Sequence, residues 1–448
     1  MMKTVSGVSV ASLVLLASAG AGPALRAQNQ SVTFSRHVAP ILYKNCTTCH
    51  RPGDMAPMSL LTYKDARPWA RSIQRRVVSR EMPPWHADPQ YGSFSNERKL
   101  TDADIATIDA WVSHGAPEGD IADLPPAPAH AGGWRIGKPD VVLSMQEPFD
   151  VPADGVVDYQ YFTIPTDFTE DKWITAAEVR PGDRRVVHHV ILFVQDPGPP
   201  APNPGLKMGP GVPATATPRR ADSPPPTPKT GSARAPNPLG TLLIGEAPGA
   251  QPLVFTPDAM KLIKAGSKLT FQMHYTPNGK ATTDRTQVGL VFAKQPAEHR
   301  VRSVPVMNAR LVIPPGEASY EVKSEVTFTE DARIWSVFPH MHFRGKDFTY
   351  TMVYPDGRSE IILSVPTYDF NWQGDYVFSK PIVAPAGSRL ECTAHFDNSP
   401  ANRANPDPSK EVRWGDQTWE EMMIGWTAYS VDSQRTSIKA TVAQHEER

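Results

Sequence analysis

The stretch RRVVHHVILFVQ, residues 184–195, stands between a Pro-Gly-Asp signal and an Asp-Pro-Gly-Pro-Pro signal. A short, β-branched, apolar run between such breakers predicts a β-strand. From Lys138 onward the same grammar recurs: KLTFQMHYTP (268–277), RIWSVFPHMHFRG (333–345) and RLECTAHFD (389–397) are short runs of alternating apolar and polar residues broken by Pro, Gly, Asp and Asn. That punctuation predicts β-sandwich architecture. In KLTFQMHYTP the set Leu269, Phe271, Met273 and Tyr275 falls on one strand face. His274 is left on the other face with Thr270 and Gln272, so by pattern it is not a core residue.

The rest of the 448-residue chain reads differently. Residues 1–27 have a lysine, an apolar run through Leu16 and then small residues, the layout of a secretory signal peptide, with cleavage expected between Ala19 and Ala27. The apolar core is shorter than the roughly 20 residues that span a bilayer, so export to a periplasmic or extracellular location is expected, with no integral membrane segment after cleavage. Residues 31–123 read as a small helical unit. Its clearest helix is TDADIATIDAWVSHGAPEGD, with Thr101 as N-cap, Ile105, Ile108, Trp111 and Val112 as the apolar stripe, and Gly115 where the helix should stop. The proline- and alanine-rich residues 124–137 predict a semi-rigid linker. Residues 196–240 hold fourteen prolines in forty-five positions, too little aliphatic material to order as a core, which predicts a long, mobile surface loop.

Composition bounds the partners. Net charge is −1, and the 46 Lys and Arg residues are scattered, which leaves no electrostatic footprint for nucleic acid. With 40% apolar residues the chain is globular. Three cysteines in an exported chain do not make a disulfide scaffold.

Two of those cysteines stand in NCTTCH, where Cys46, Cys49 and His50 have the C-x-x-C-H spacing. Covalent c-type haem attachment needs two thiols that reach the two vinyl groups from one turn of chain, and an adjacent imidazole for the iron. A redox dithiol or half a zinc site would share the first two residues, but there is no second cysteine pair. One haem c is therefore expected. Met55, Met58 and Met82 are the candidates for the sixth ligand. Met82 is preferred because SREMPPWHADP places two prolines behind it, which fix an extended backbone. This segment, CTTCH and the closing helix resemble the cytochrome c fold over about ninety residues, and a Met/His pair suits one-electron transfer.

Five of the thirteen histidines cluster in the strand-like segments: His188 and His189, His274, and His340 with His342. The i, i+2 spacing of FPHMHF puts two imidazoles on one strand face about 7 Å apart. In VVHHVI the two rings would point to opposite faces of a regular strand, so joint ligation needs a local irregularity or one ring binding through its δ nitrogen. Imidazole with an occasional thioether suits copper. Cys392 reads as a buried structural thiol.

At these residues the chain resembles the type II copper monooxygenases, represented by peptidylglycine α-hydroxylating monooxygenase and dopamine β-monooxygenase. The likeness covers roughly residues 138–432. It implies two copper-binding β-sandwiches, here residues 138–297 and 298–435, followed by a tail at 436–448. It further implies that His188, His189 and His274 bind an electron-transfer copper, and that His340 and His342 bind a catalytic copper with a methionine of TWEEMMIGWTAY. Family members carry an acidic pair before that methionine, which assigns Met422 over Met423. Where the peptide-hydroxylating members hold a substrate carboxylate with an arginine, an asparagine and a tyrosine, this chain has Phe338, Ile424 and Trp426, so peptide amidation is not expected. The family's disulfides are mostly absent: Cys392 sits where one partner is expected, and its mate's position is Met423.

The expected architecture is thus a small all-α cytochrome c domain followed by two all-β sandwich, jelly-roll-like copper domains. The expected function is an exported monooxygenase in which the haem feeds electrons to a non-coupled dicopper site that activates dioxygen and hydroxylates an apolar or aromatic organic substrate, with an external electron donor upstream. The competing expectation is a non-catalytic electron-transfer or copper-binding protein.

Overall fold

The structure, a computed structural model, describes residues 32–52, 54, 56–128, 134–199, 203–209, 240–247 and 250–436. The expected signal peptide, most of the expected tail and most of the proline-rich loop lie outside the described residues.

Strand Val187–Gln195 is hydrogen-bonded to Lys268–Tyr275 on one side and Thr241–Glu246 on the other, in a four-stranded sheet that Gln160–Pro165 completes. A second sheet, built on Lys172–Arg180 and Gln287–Phe292, faces it across a core that includes Val190, Leu192, Leu269, Phe271, Met273, Ile174 and Val288. Downstream, a sheet of Arg302–Met307, Ile424–Val431, Ala332–His340 and Tyr376–Ala384 faces one of Ser359–Val365, Gly345–Val353, Arg389–Phe396 and Tyr320–Phe328 across a second core. Cys392 is fully buried there as a free thiol.

The two β units meet sheet to sheet. Ile191, Phe193 and Leu242 of the first pack against Met307, Phe338, Met422, Ile424 and Trp426 of the second. This seam explains why Val190 to Val194 are apolar without alternation: even-numbered side chains fill the first core, odd-numbered Ile191 and Phe193 fill the seam, and a strand covered on both faces needs no polar side. It also buries Thr270 and Gln272, on the face opposite Leu269.

The sequence-based architecture is corrected here. Among the described residues the chain is mostly β, with no sizeable all-α cytochrome domain ahead of the β units. Residues 34–124 contribute only short helices around a small core of Phe34, Leu42, Ile73, Ile108 and Trp111. The longest, Asp102–Ser113, has 12 residues and starts at the Thr101 cap, where Thr101 and Asp104 form a capping box. Between the helices the chain is irregular. Pro83, Pro84 and Pro89 rule out a continuous helix, and the segment after Met82 leaves the helices to pack on the second β unit. There Trp85 meets Tyr376 at 4.8 Å between ring centroids, Phe94 meets Phe378 at 5.3 Å, and the N–H of Asp88 donates to the Ser364 carbonyl.

The β units are not independent domains either. Leu206–Met208, inside the proline-rich stretch, is an edge strand of the second unit on Tyr320–Phe328, while His299–Arg300 pairs back onto Ala259–Ile263 of the first. Among the described residues no helix is long and apolar enough to cross a membrane.

Candidate metal centre

The irregularity that the histidine pair requires is present. Along Lys268–Tyr275 the register runs regularly to His274 opposite His189, then jumps so that Tyr275 faces Val187. His188 is the extra residue of this bulge. The kink turns both rings to the same region: His188 Nδ1 lies 3.1 Å from His189 Nδ1, and His188, His189 and His274 offer ligand atoms all within 4.8 Å of one another. Two nitrogens bound to one tetrahedral ion at about 2 Å stand about 3.3 Å apart, so the observed spacing suits a shared ion.

His340 ends its strand, and His342 follows it in the short turn to the next. Their rings lie 5.2 Å apart, and His189 is 6.5 Å from His340. The five imidazoles therefore form one contiguous cluster across the seam. Phe370 joins them, stacked on His188 at 5.0 Å and 6.1 Å from His342. Tyr159 stacks on His274 at 5.0 Å, and its hydroxyl lies 3.0 Å from His189 Nε2.

The donor set passes a direct test of fit. His188 Nε2, His274 Nδ1 and His342 Nε2 are buried without a hydrogen-bond partner, a costly arrangement for polar atoms unless something binds them. Burial keeps the rings neutral: His274 is pushed down to about 3 and His340 to about 4, and His189 and His342 are lowered strongly by the same cause. Neutral imidazole is the metal-binding form. Each ring of the second pair is oriented by an acceptor on its other nitrogen. His340 Nδ1 donates to Gln373 Oε1 at 2.6 Å, and His342 Nδ1 to the Glu420 carbonyl at 3.3 Å. Such partners fix the tautomer and aim Nε2 at the ion.

Met422 lines the same cavity as His340 and His342, whereas Met423 points into the second core. Glu421 joins the set through the backbone. It is fully buried, and its carboxylate accepts from the N–H groups of His342 at 2.9 Å, Arg344 at 2.7 Å and Met422 at 3.3 Å. Burial pushes this carboxyl up to about 8, and the three donors pull against that rise. The cavity holds about 50 Å3 and is walled by Ile191, Phe193, Met307, Ile424 and Trp426, with Asp416 at its edge.

The haem motif sits on the helical segment. Helix Ala39–Asn45 ends at Cys46, and both thiols are free. His50 Nδ1 donates to the Met58 carbonyl at 3.2 Å, which leaves Nε2 for iron. This is the orientation an axial ligand needs. Of the candidate sixth ligands, Met58 packs against the helical core, Met82 is half-buried with its N–H on the Arg76 carbonyl, and Met55 lies outside the described residues. Near the first histidine group, Arg184 donates to Glu246 at 2.9 Å, and Glu246 lines a cleft with His188 and His189.

Sequence reasoning missed Tyr159, Phe370 and Gln373, which come from loops and a turn with no periodic signal. Glu421 was visible only as half of an acidic pair.

No known protein family matches the sequence, and no curated protein matches it. Among solved structures, two entries from infectious bursal disease virus, the Gt strain structure and the VP2 subviral particle, are similar at 8% and 6% identity. They cover 66% of this chain and 72% and 74% of theirs, each with a TM-score of 0.19. Similarity at that level carries no argument about this chain.

Proposed function

We propose that the protein is an exported copper- and haem-dependent oxidoreductase of the monooxygenase type, acting on an organic substrate at the seam between its β units. The observation that carries this reading is the set of three buried, partnerless imidazole nitrogens inside a five-histidine cluster. His188, His189 and His274 would hold one copper; His340, His342 and Met422 would hold the other; Cys46, Cys49 and His50 would hold a haem c. Copper supplies one-electron redox chemistry and dioxygen activation when bound, and the haem supplies electrons singly.

The chain's own residues define the rest. Gln373 and the Glu420 carbonyl hold the tautomers of His340 and His342, and Glu421 ties the main chain of His342 to that of Met422. The walls of Ile191, Phe193, Met307, Ile424 and Trp426 exclude water and accept an apolar substrate.

The test is metal analysis of protein matured in an oxidising compartment with copper and c-type haem attachment. About two coppers and one haem per chain are expected, and the His342→Ala variant should lose about one copper while keeping its haem. Turnover with reduced haem as sole electron source should collapse in a His50→Ala variant. Haem with one copper or none, or metal loading without oxygen consumption, would favour a non-catalytic electron-transfer protein instead.

A further inference from the structure

The cavity lined by His340, His342 and Met422 is also lined by Asp416 and Trp426, and each of these two side chains keeps a polar atom that nothing in the fold satisfies. Asp416 Oδ1 and Trp426 Nε1 are both buried without a partner, on side chains that are 8% and 7% exposed. They are opposite in character: an indole N–H can only donate, and a carboxylate oxygen accepts. The other Asp416 oxygen is already held by the Tyr161 hydroxyl at 3.3 Å, and Tyr161 in turn accepts from Gln272 at 3.0 Å. Asp416 is thus fixed in place with one lone-pair edge left over. Leaving one donor and one acceptor unpaired in an apolar pocket is costly, and a ligand that pairs both recovers that cost.

We propose that these two groups recognise a hydroxyl on an otherwise apolar substrate. The proposal rests on the monooxygenase reading and adds the substrate class to it. A hydroxyl donates and accepts at once, so it can satisfy both atoms. An ammonium has no acceptor for the indole, and an anion meets the Asp416 carboxylate. The carbon skeleton has apolar surroundings on both sides of the indole: Ile191, Phe193 and Ile424 in this cavity, and an adjoining cavity of about 330 Å3, walled by Leu242, Ile244 and Trp335, that shares Trp426.

The test compares matched probes by calorimetry on the full chain: phenol against benzene and cyclohexanol against cyclohexane, with the parent protein, Asp416→Asn and Trp426→Phe. In the parent, at least one hydroxyl compound should bind about 10- to 100-fold tighter than its hydrocarbon partner, and both variants should lose most of that preference while still binding the hydrocarbon. Equal affinities within both pairs, or a preference that survives both substitutions, would overturn the proposal and leave the two atoms as sites for buried water. Copper content, measured on the same samples, reports separately on the monooxygenase reading: a hydroxyl preference without copper refutes that reading alone, and copper without the preference refutes only the substrate class.

Discussion

Glu421 carries more of the site than its place beside two methionines suggests. Its carboxylate gathers three main-chain N–H groups from two chain segments, so the turn carrying His342 and the loop carrying Met422 share one anchor. A Glu421→Gln variant keeps the shape but turns an amide NH2 toward at least one of those donors. It should lose about 1–3 kcal/mol of stability, read as a lowered denaturant midpoint, and should weaken copper retention at His340 and His342 more than at the first histidine group. Equal copper retention at both would show that Glu421 serves only the fold. The sequence showed this residue only as half of an acidic pair, because three converging N–H groups leave no mark in a periodicity. The histidines were visible because imidazoles clustered in otherwise apolar strands are rare enough to stand out.

At the level of elements, the strand patterns were legible wherever a single strand carried the information. Leu269, Phe271, Met273 and Tyr275 are each at most 1% exposed, on the face that their alternation marked, and the Thr101 cap begins its helix. What alternation could not reveal was that the opposite face is also covered, since the covering sheet belongs to the downstream β unit. The same close stacking makes Gly425 sensitive. A Cβ there would stand 2.5 Å from Cys392 Sγ and 3.0 Å from a Tyr350 ring carbon, inside the second core. Gly425→Ala should cost about 1–3 kcal/mol through overpacking, measured by thermal or chemical unfolding. Pairing it with Cys392→Ala should recover part of the loss, and an unchanged midpoint for Gly425→Ala would show that the core yields freely. This contact also gives the small residue at 425 a packing role beside the cysteine.

Across the whole molecule, the main misreading was of residues 84–99. Their prolines correctly argued against helix, but the sequence had no means of saying that Trp85 and Phe94 find their apolar partners on Tyr376 and Phe378, nearly 300 positions downstream. That anchorage joins the helical segment to the β body. Phe94→Ala should cost about 3–5 kcal/mol by the usual scale for a buried aromatic. It should also open residues 84–99 to limited proteolysis in the folded protein, and a cleavage pattern identical to the parent's would show that the segment is held elsewhere.

The exchange of edge strands has a further consequence. Leu206–Met208 lies within the sequence of the first β unit but is hydrogen-bonded into the second, and His299–Arg300 pairs back into the first. A cut after Arg300 leaves the first unit with all its strands, but no single cut frees the second unit with Leu206–Met208 in place. The separated second unit would present Tyr320–Phe328 as an open sheet edge of the kind that recruits other chains. Whoever shortens this protein from its N-terminus therefore has to carry residues 206–208 along, or give Tyr320–Phe328 another neighbour.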